Sequence, residues 1–170
     1  AASDVYKRQE EAFAEQTEIL EEVESGEKTG KTIAFFYVTS NGLIQVRQST
    51  DYIPKLIELA GGRYIFENLE DGGSGRSTLN MQVEDFYAGA KDADILIYNS
   101  SIDGGVTTVD ELIGKCNILK DFKAVQEGQV YCTTNDMYQQ SMAIGYLLQD
   151  MHTVLTDDDT AKLRYLFLLQ

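Results

Sequence analysis

Thr32-Ile33-Ala34-Phe35-Phe36-Tyr37-Val38 is a run of β-branched, aromatic and small apolar residues without a charged or amide side chain. A strand with one wet face alternates apolar and polar residues. An unbroken run instead marks a strand covered on both sides, as in a parallel sheet lying between helical layers. Ile95-Leu96-Ile97-Tyr98 has the same character. Shorter strands are expected at residues 64–66 and 129–133, the latter announced by the Glu127-Gly128 turn.

The intervals between these runs carry helical signals. Ser49 or Thr50 can cap a helix that tolerates Pro54 in its first turn and ends at Ala60 before Gly61-Gly62. Val83, Phe86, Tyr87 and Ala90 fall at helical spacing up to Lys91. A short helix is expected from Val109 and a long one over residues 137–155, broken by Asp157-Asp158-Asp159. The apolar tail 163–169 is expected to fold back as a further helical turn or two. At the front, Ala12, Phe13, Ile19, Leu20 and Val23 form an apolar stripe on an otherwise acidic helix that ends near Ser25-Gly26. Alternating strands and helices imply right-handed crossovers. The expected class is therefore α/β, a three-layer Rossmann-like unit with a mostly parallel open sheet, preceded by an amphipathic helix. Residues 1–9 are expected to be a non-native or disordered start, 10–30 the helix and its linker, and 31–170 the main domain.

The 170 residues hold 28 Asp+Glu against 14 Lys+Arg, a formal charge of −14, and are 43% hydrophobic. That composition supports one packed domain. The charge disfavours nucleic acid and anionic membrane surfaces, which need clustered positive charge. No apolar run reaches the roughly 18 residues of a spanning helix, and no signal peptide is recognisable. Cys116 and Cys132 lack metal-ligand spacing, and His152 completes no zinc set with them. They read either as two semi-buried thiols or as a disulfide formed in an oxidising exterior.

Catalytic signals are weak. The loop Asp71-Gly72-Gly73-Ser74-Gly75-Arg76 lacks the Lys-Ser/Thr pair of a phosphate loop and does not follow the first strand, so it reads as a surface connection. His152 has no serine or cysteine in recognisable register and reads as a helix-face residue. The strand ends are more informative, because ligands of open α/β sheets bind outside the carboxyl ends of the strands. There, Tyr37 is followed by Thr39-Ser40-Asn41, Tyr98 by Asn99-Ser100-Ser101, and Thr133-Thr134-Asn135 by Tyr138-Gln139, with Arg47 nearby. Aromatic faces interleaved with uncharged hydrogen-bonding groups suit a bulky, partly apolar ligand.

The ordered set Glu58-Leu59-Ala60-Gly61-Gly62, Tyr64-Ile65-Phe66, Val83-Glu84, Asp92-Ala93-Asp94-Ile95-Leu96-Ile97-Tyr98 and Phe122-Lys123-Ala124-Val125-Gln126-Glu127-Gly128-Gln129-Val130-Tyr131 resembles the C-terminal lobe of cluster-A (class III) substrate-binding proteins. These serve ABC importers for siderophores, haem and cobalamin. The resemblance implies a cleft between two lobes holding a metal chelate or corrinoid, with no cofactor and no catalysis. It assigns Tyr37, Asn41, Arg47, Tyr98, Asn99, Tyr138 and Gln139 to this lobe's share of the cleft, and Glu84 to a contact with the ABC permease. It also implies an extracytoplasmic location and a missing N-terminal lobe, since that lobe, the signal region and the lipobox cysteine are absent from the chain. Lys91-Asp92-Ala93-Asp94 departs from the family's usual Asn-Pro-Asp. The alternative is a self-contained flavodoxin-like or Rossmann-like nucleotide-binding enzyme domain. Against it, residues 42–47 continue as a β-branched run and do not open a glycine-lined helix.

Overall fold

β1 (Thr32–Val38) lies at the centre of the sheet, as its unbroken apolar run requires. The structure is a computed structural model that describes residues 2–69, 76–100, 105–137 and 143–170. Among these, seven strands form one sheet in the order β4-β2-β1-β5-β6-β7, with β3 paired beside the first half of β1. β5 (Ile95–Tyr98) and β6 (Val130–Thr133) run parallel to β1, as does β3 (Arg63–Tyr64). β2 (Ile44–Arg47) turns back on β1 as an antiparallel hairpin, and β4 (Thr78–Met81) pairs antiparallel with β2. β7 (Leu166–Leu168) closes the other edge, antiparallel to β6.

Alternate side chains of the central strands feed two separate cores. Ile33, Phe35, Ile95, Ile97 and Tyr131 pack with α1 (Ala2–Ser25), α2 (Tyr52–Leu59) and α6 (Ala143–Leu155). Ala34, Phe36, Leu96, Tyr98, Val130 and Cys132 face α3 (Val83–Ala90), α4 (Val109–Lys115) and α5 (Lys123–Gln126). The result is the expected three-layer arrangement.

Four local expectations are corrected. The helix expected to start from Ser49 or Thr50 is capped by Asp51, whose carboxylate accepts the Ile53 N–H at 3.2 Å. The tail 163–169 is not helical. After a 3-10 turn at Thr160–Lys162 it becomes β7, because Leu166, Phe167 and Leu168 find partners in Thr133, Cys132 and Tyr131. A short apolar run has no period to separate the two outcomes, so tertiary pairing decides. On α1, Phe13 and Leu20 point outward at 75% and 38% exposure, whereas Ile19 and Val23 are buried. Residues 2–9, expected to be a non-native or disordered start, are helical as the first part of α1. The loop 70–75 lies outside the described residues, and both cysteines are buried free thiols.

α1 and α6 lie side by side in the same sense, with the Tyr146 hydroxyl donating to Glu15 and Val23 beside His152. α6 starts near the carboxyl end of β6 and descends to the opposite edge, where His152 Nδ1 meets the Ala60 carbonyl at 2.9 Å. The first ten helical residues of α1, 2–11, therefore run past the carboxyl ends of the strands. That is roughly 15 Å of helix, and every residue in it is exposed.

At the other end of the strands, Asp94 ties three elements together. Its carboxylate accepts the Thr32 N–H at 2.9 Å and the Lys123 ammonium at 2.6 Å, joining the starts of β1, β5 and α5. The Asp-Ala-Asp segment thus has a local purpose in holding strand starts in register.

Candidate functional site

β1, β5 and β6 end level with one another. The Asn99 N–H donates to the Phe36 carbonyl at 2.7 Å, and the Ser100 N–H donates to Thr133 Oγ1 at 2.9 Å while its hydroxyl bonds the Thr133 carbonyl. The three strand ends are thereby zipped into one rim. Beside it, Tyr37, Gln45, Arg47, Thr78 and Asn99, with Phe35, Phe36 and Val46, line a shallow crevice that has no internal room for a water molecule. Three residues expected at the cleft, Tyr37, Arg47 and Asn99, are brought together there.

Arg47 is held from several sides. Its guanidinium pairs with Asp51 at 3.3 Å and lies 5.7 Å from the Phe35 ring centroid and 6.0 Å from that of Tyr52. Its carbonyl accepts the Tyr64 hydroxyl at 2.6 Å. Burial pushes the Tyr64 phenol well above its usual range, with the Arg47 interactions only partly offsetting it.

Other expected residues fall elsewhere. Tyr98 is fully buried, its ring 5.5 Å from Phe36 in edge-on geometry, so it belongs to the core under the rim. Its position on β5 sends it to the α3/α4 face while the crevice opens on the other. Asn41 is exposed at the tip of the β1–β2 hairpin, where Thr39 closes the turn through bonds with Leu43. Tyr138 and Gln139 lie outside the described residues. Gln45 and Thr78 were not anticipated. The Ile44-Gln45-Val46-Arg47 alternation was the available signal, since a half-buried strand points every second residue to one side.

Glu84 is exposed in the first turn of α3 beside Asp85. α3 leads into the start of β5, so its N-terminus lies at the same edge as the rim. Cys116 is near enough that Glu84 adds slightly to the upward push that burial exerts on its thiol. His152 borders a groove with Glu22, Gln149, Asp158, Lys162 and Arg164, and no serine or cysteine lines it among the described residues. A wider depression between α2 and β3 is lined by Lys55, Glu58, Arg63 and Glu67, with Arg63 and Glu67 paired at 2.7 Å. It does not border the ends of β1, β5 or β6, so the rim is the site favoured by topology. Among the described residues no acidic, histidine or cysteine cluster suits a metal ion, and no helix is long and apolar enough to cross a membrane.

These features match a lobe-sized part of the TroA-like binding-protein fold, with a helix that runs past the carboxyl ends of the strands. Solved structures it resembles include periplasmic and ABC-transporter substrate-binding proteins, each matched over a lobe-sized part. One, an ABC transporter substrate-binding protein from Listeria monocytogenes, is 22% identical with a TM-score of 0.66, covering 87% of this chain and 57% of that one. An ABC-type Fe3+-hydroxamate transport protein from Saccharomonospora viridis is 17% identical with a TM-score of 0.67, covering 89% and 50%. The periplasmic haem-binding protein of Vibrio cholerae is 14% identical with a TM-score of 0.59, covering 88% and 55%. In sequence, an uncharacterized lipoprotein of Methanocaldococcus jannaschii is 30% identical over 126 residues, 73% of this chain and 28% of that protein. No family model matches the chain. The chain spans about half the length of these solved structures and a smaller share of the lipoprotein.

Proposed function

We propose that the chain is one lobe, with its adjoining helix, of the extracytoplasmic substrate-binding component of an ABC importer for iron-siderophore, haem or cobalamin-type ligands. The observation that carries this is the overhang of α1. Val5, Tyr6 and Phe13 are 54%, 63% and 75% exposed on or beside a helical stretch that passes the very edge where the crevice opens. A second lobe seated on that stretch would cover them and face the crevice across a cleft. The crevice alone encloses no ligand-sized space, whereas sites that enclose a ligand hold roughly 300–1,000 Å³. Hydrolysis of ATP would take place on other subunits, and this lobe would contribute binding groups, not catalysis. The enzyme alternative is disfavoured because β1 leads into a hairpin and not into a helix N-terminus that could cradle phosphate.

Titration with ferric siderophores, haem or cobalamin tests this. Binding to the chain alone should be at least about a hundredfold weaker than to a receptor carrying both lobes, because enclosure and convergent contacts are shared between them. Submicromolar binding to this chain would overturn the one-lobe assignment. Glu84 is proposed as the carboxylate that meets a basic pocket on the permease, steering docking through charge complementarity. Glu84→Lys in the two-lobed receptor should reduce import roughly tenfold with ligand affinity unchanged, and undiminished import would refute the contact.

A further inference from the structure

β3 leaves a main-chain edge of the sheet open at a distance from the strand ends. The Arg63 N–H donates to the Lys31 carbonyl and the Ile65 N–H to that of Ile33, so residues 63 and 65 turn toward β1. In a parallel ladder the residue between them turns the other way. The Tyr64 N–H and carbonyl therefore face outward, and neither has a partner among the described residues. Tyr64 is only 4% exposed, and its hydroxyl is fixed on the Arg47 carbonyl. A main-chain donor and acceptor with so little access to water call for a partner.

The space beside them can hold one. Between β3 and α2 lies a depression of about 400 Å³, lined by Ser49, Lys55, Glu58, Arg63, Tyr64 and Glu67 with Pro54 and Gly62. That volume falls within the range of small-ligand sites. Its charged lining sets Lys55 and Arg63 against Glu58 and Glu67. Arg63 and Glu67 pair with each other at 2.7 Å. Lys55 and Glu58 are exposed on one face of α2, and neither forms an ion pair among the described residues. A simple anion would meet the two carboxylates as well as the two cations, and a metal ion would meet the reverse, so neither charge alone is favoured.

A ligand that carries both charges and an amide main chain uses every one of these groups. An extended peptide exchanges main-chain hydrogen bonds with an open strand edge. Its free carboxylate and ammonium ends complement Lys55 and Glu58. The geometry points to a second ligand site on this lobe: the depression between β3 and α2 takes a short free peptide in extended form, laddered on the Tyr64 main chain, with its charged ends met by Lys55 and Glu58. The site stands apart from the strand-end crevice and does not depend on the reading of that crevice as part of a cleft.

Three tripeptides test it. The isotope-labelled chain is titrated to high millimolar concentration with Ala-Val-Ala, with the same peptide N-methylated at both of its amides, and with its N-acetyl, C-amide form. Amide shifts should centre on Lys55, Arg63 and Tyr64, and bound Ala-Val-Ala should slow hydrogen exchange at the Tyr64 N–H. The N-methylated peptide, which cannot donate to the Tyr64 carbonyl, should bind about tenfold more weakly. The capped peptide should bind roughly fivefold more weakly at low salt, with the gap closing as salt rises. Lys55→Gln and Glu58→Gln, both at exposed helix positions, should each weaken Ala-Val-Ala roughly threefold and leave the capped peptide unchanged. Shifts that spare Tyr64, or an N-methylated peptide that binds as well as its parent, would overturn the edge pairing and the site with it. Equal binding of the free and capped peptides, or no effect of either glutamine variant, would overturn the assignment to a free peptide.

Discussion

Asp150→Ala is expected to lower the free energy of unfolding by about 3–6 kcal/mol, because it strips the acceptor from three backbone N–H groups at roughly 1–3 kcal/mol each, with some relief from entering water. Asp150 is 2% exposed. Its Oδ2 accepts the N–H of Tyr165 at 2.7 Å, of Arg164 at 3.0 Å and of Leu166 at 3.1 Å. These groups stand where the chain enters β7, and the Tyr165 carbonyl is already committed to the Thr134 N–H at 2.9 Å. The segment therefore cannot turn its donors elsewhere without breaking the sheet edge. In a chain of this size the loss corresponds to a Tm drop of roughly 6–24 °C. Urea or thermal unfolding measures it, and amide exchange at Leu166 and Leu169 should accelerate with it. A loss under about 1 kcal/mol would mean that water replaces the carboxylate.

Asp150→Asn separates the acceptor from the charge. Burial pushes the Asp150 carboxyl above its ordinary value, and the bonds from Tyr165, Arg164 and Leu166 pull it back only in part. The folded state thus holds this proton to higher pH than the unfolded chain does. The residue's contribution to stability consequently falls as pH rises from the ordinary carboxyl value through the raised one. Asp94 has the opposite sign. Burial pushes it upward too, but the Lys123 ammonium and the Thr32 bonds outweigh that and hold it below the ordinary range. Its stabilisation is complete above the unfolded value and is lost as pH falls through the lowered one. Asn at 150 should remove the first dependence, leave the second, and cost less than Ala because its amide oxygen can still serve the three donors.

The parts of the fold legible in the sequence are those whose signal is local and redundant. β1 and β5 were readable because both faces are buried, so every position had to be apolar or aromatic. The Gly61-Gly62 helix stop was readable because few residues other than glycine occupy that backbone. β7 was not, since Leu166, Phe167 and Leu168 are strand only through their partners on β6. At the site, the ends of β1 and β5 place Tyr37 and Asn99 beside one crevice. Tyr98 looked equivalent, yet one step along a strand reverses the face, and it points into the core. Gln45 and Thr78 went unseen because their positions depend on the β1–β2 hairpin and its pairing with β4, contacts made across long stretches of chain.

Gly61→Val is expected to cost about 3–5 kcal/mol, combining backbone strain of roughly 1–3 kcal/mol with a collision that strain alone does not include. Gly61 has φ +98°, and a Cβ there would stand 2.9 Å from the Glu27 carbonyl oxygen and 3.0 Å from Lys28 Cα. Both obstacles are backbone, so no side chain can rotate away. The Gly61 carbonyl also accepts the Gly30 N–H at 2.9 Å, which fastens the α1–β1 linker over the end of α2. Gly128→Ala provides the comparison, because Gly128 has φ +71° but nothing within 4 Å of a built Cβ. It should cost only about 1–2 kcal/mol, the left-handed penalty alone. If denaturation gave the two variants equal losses, the collision with the linker would be refuted. If Gly61→Val is the larger, as expected, the linker is a rigid seat, and protease sensitivity along α1 should rise in that variant and not in Gly128→Ala. The same seat sets the direction in which α1 leaves the sheet past the crevice, so a substitution remote from the strand ends would misdirect the helix on which the other half of the cleft is proposed to rest.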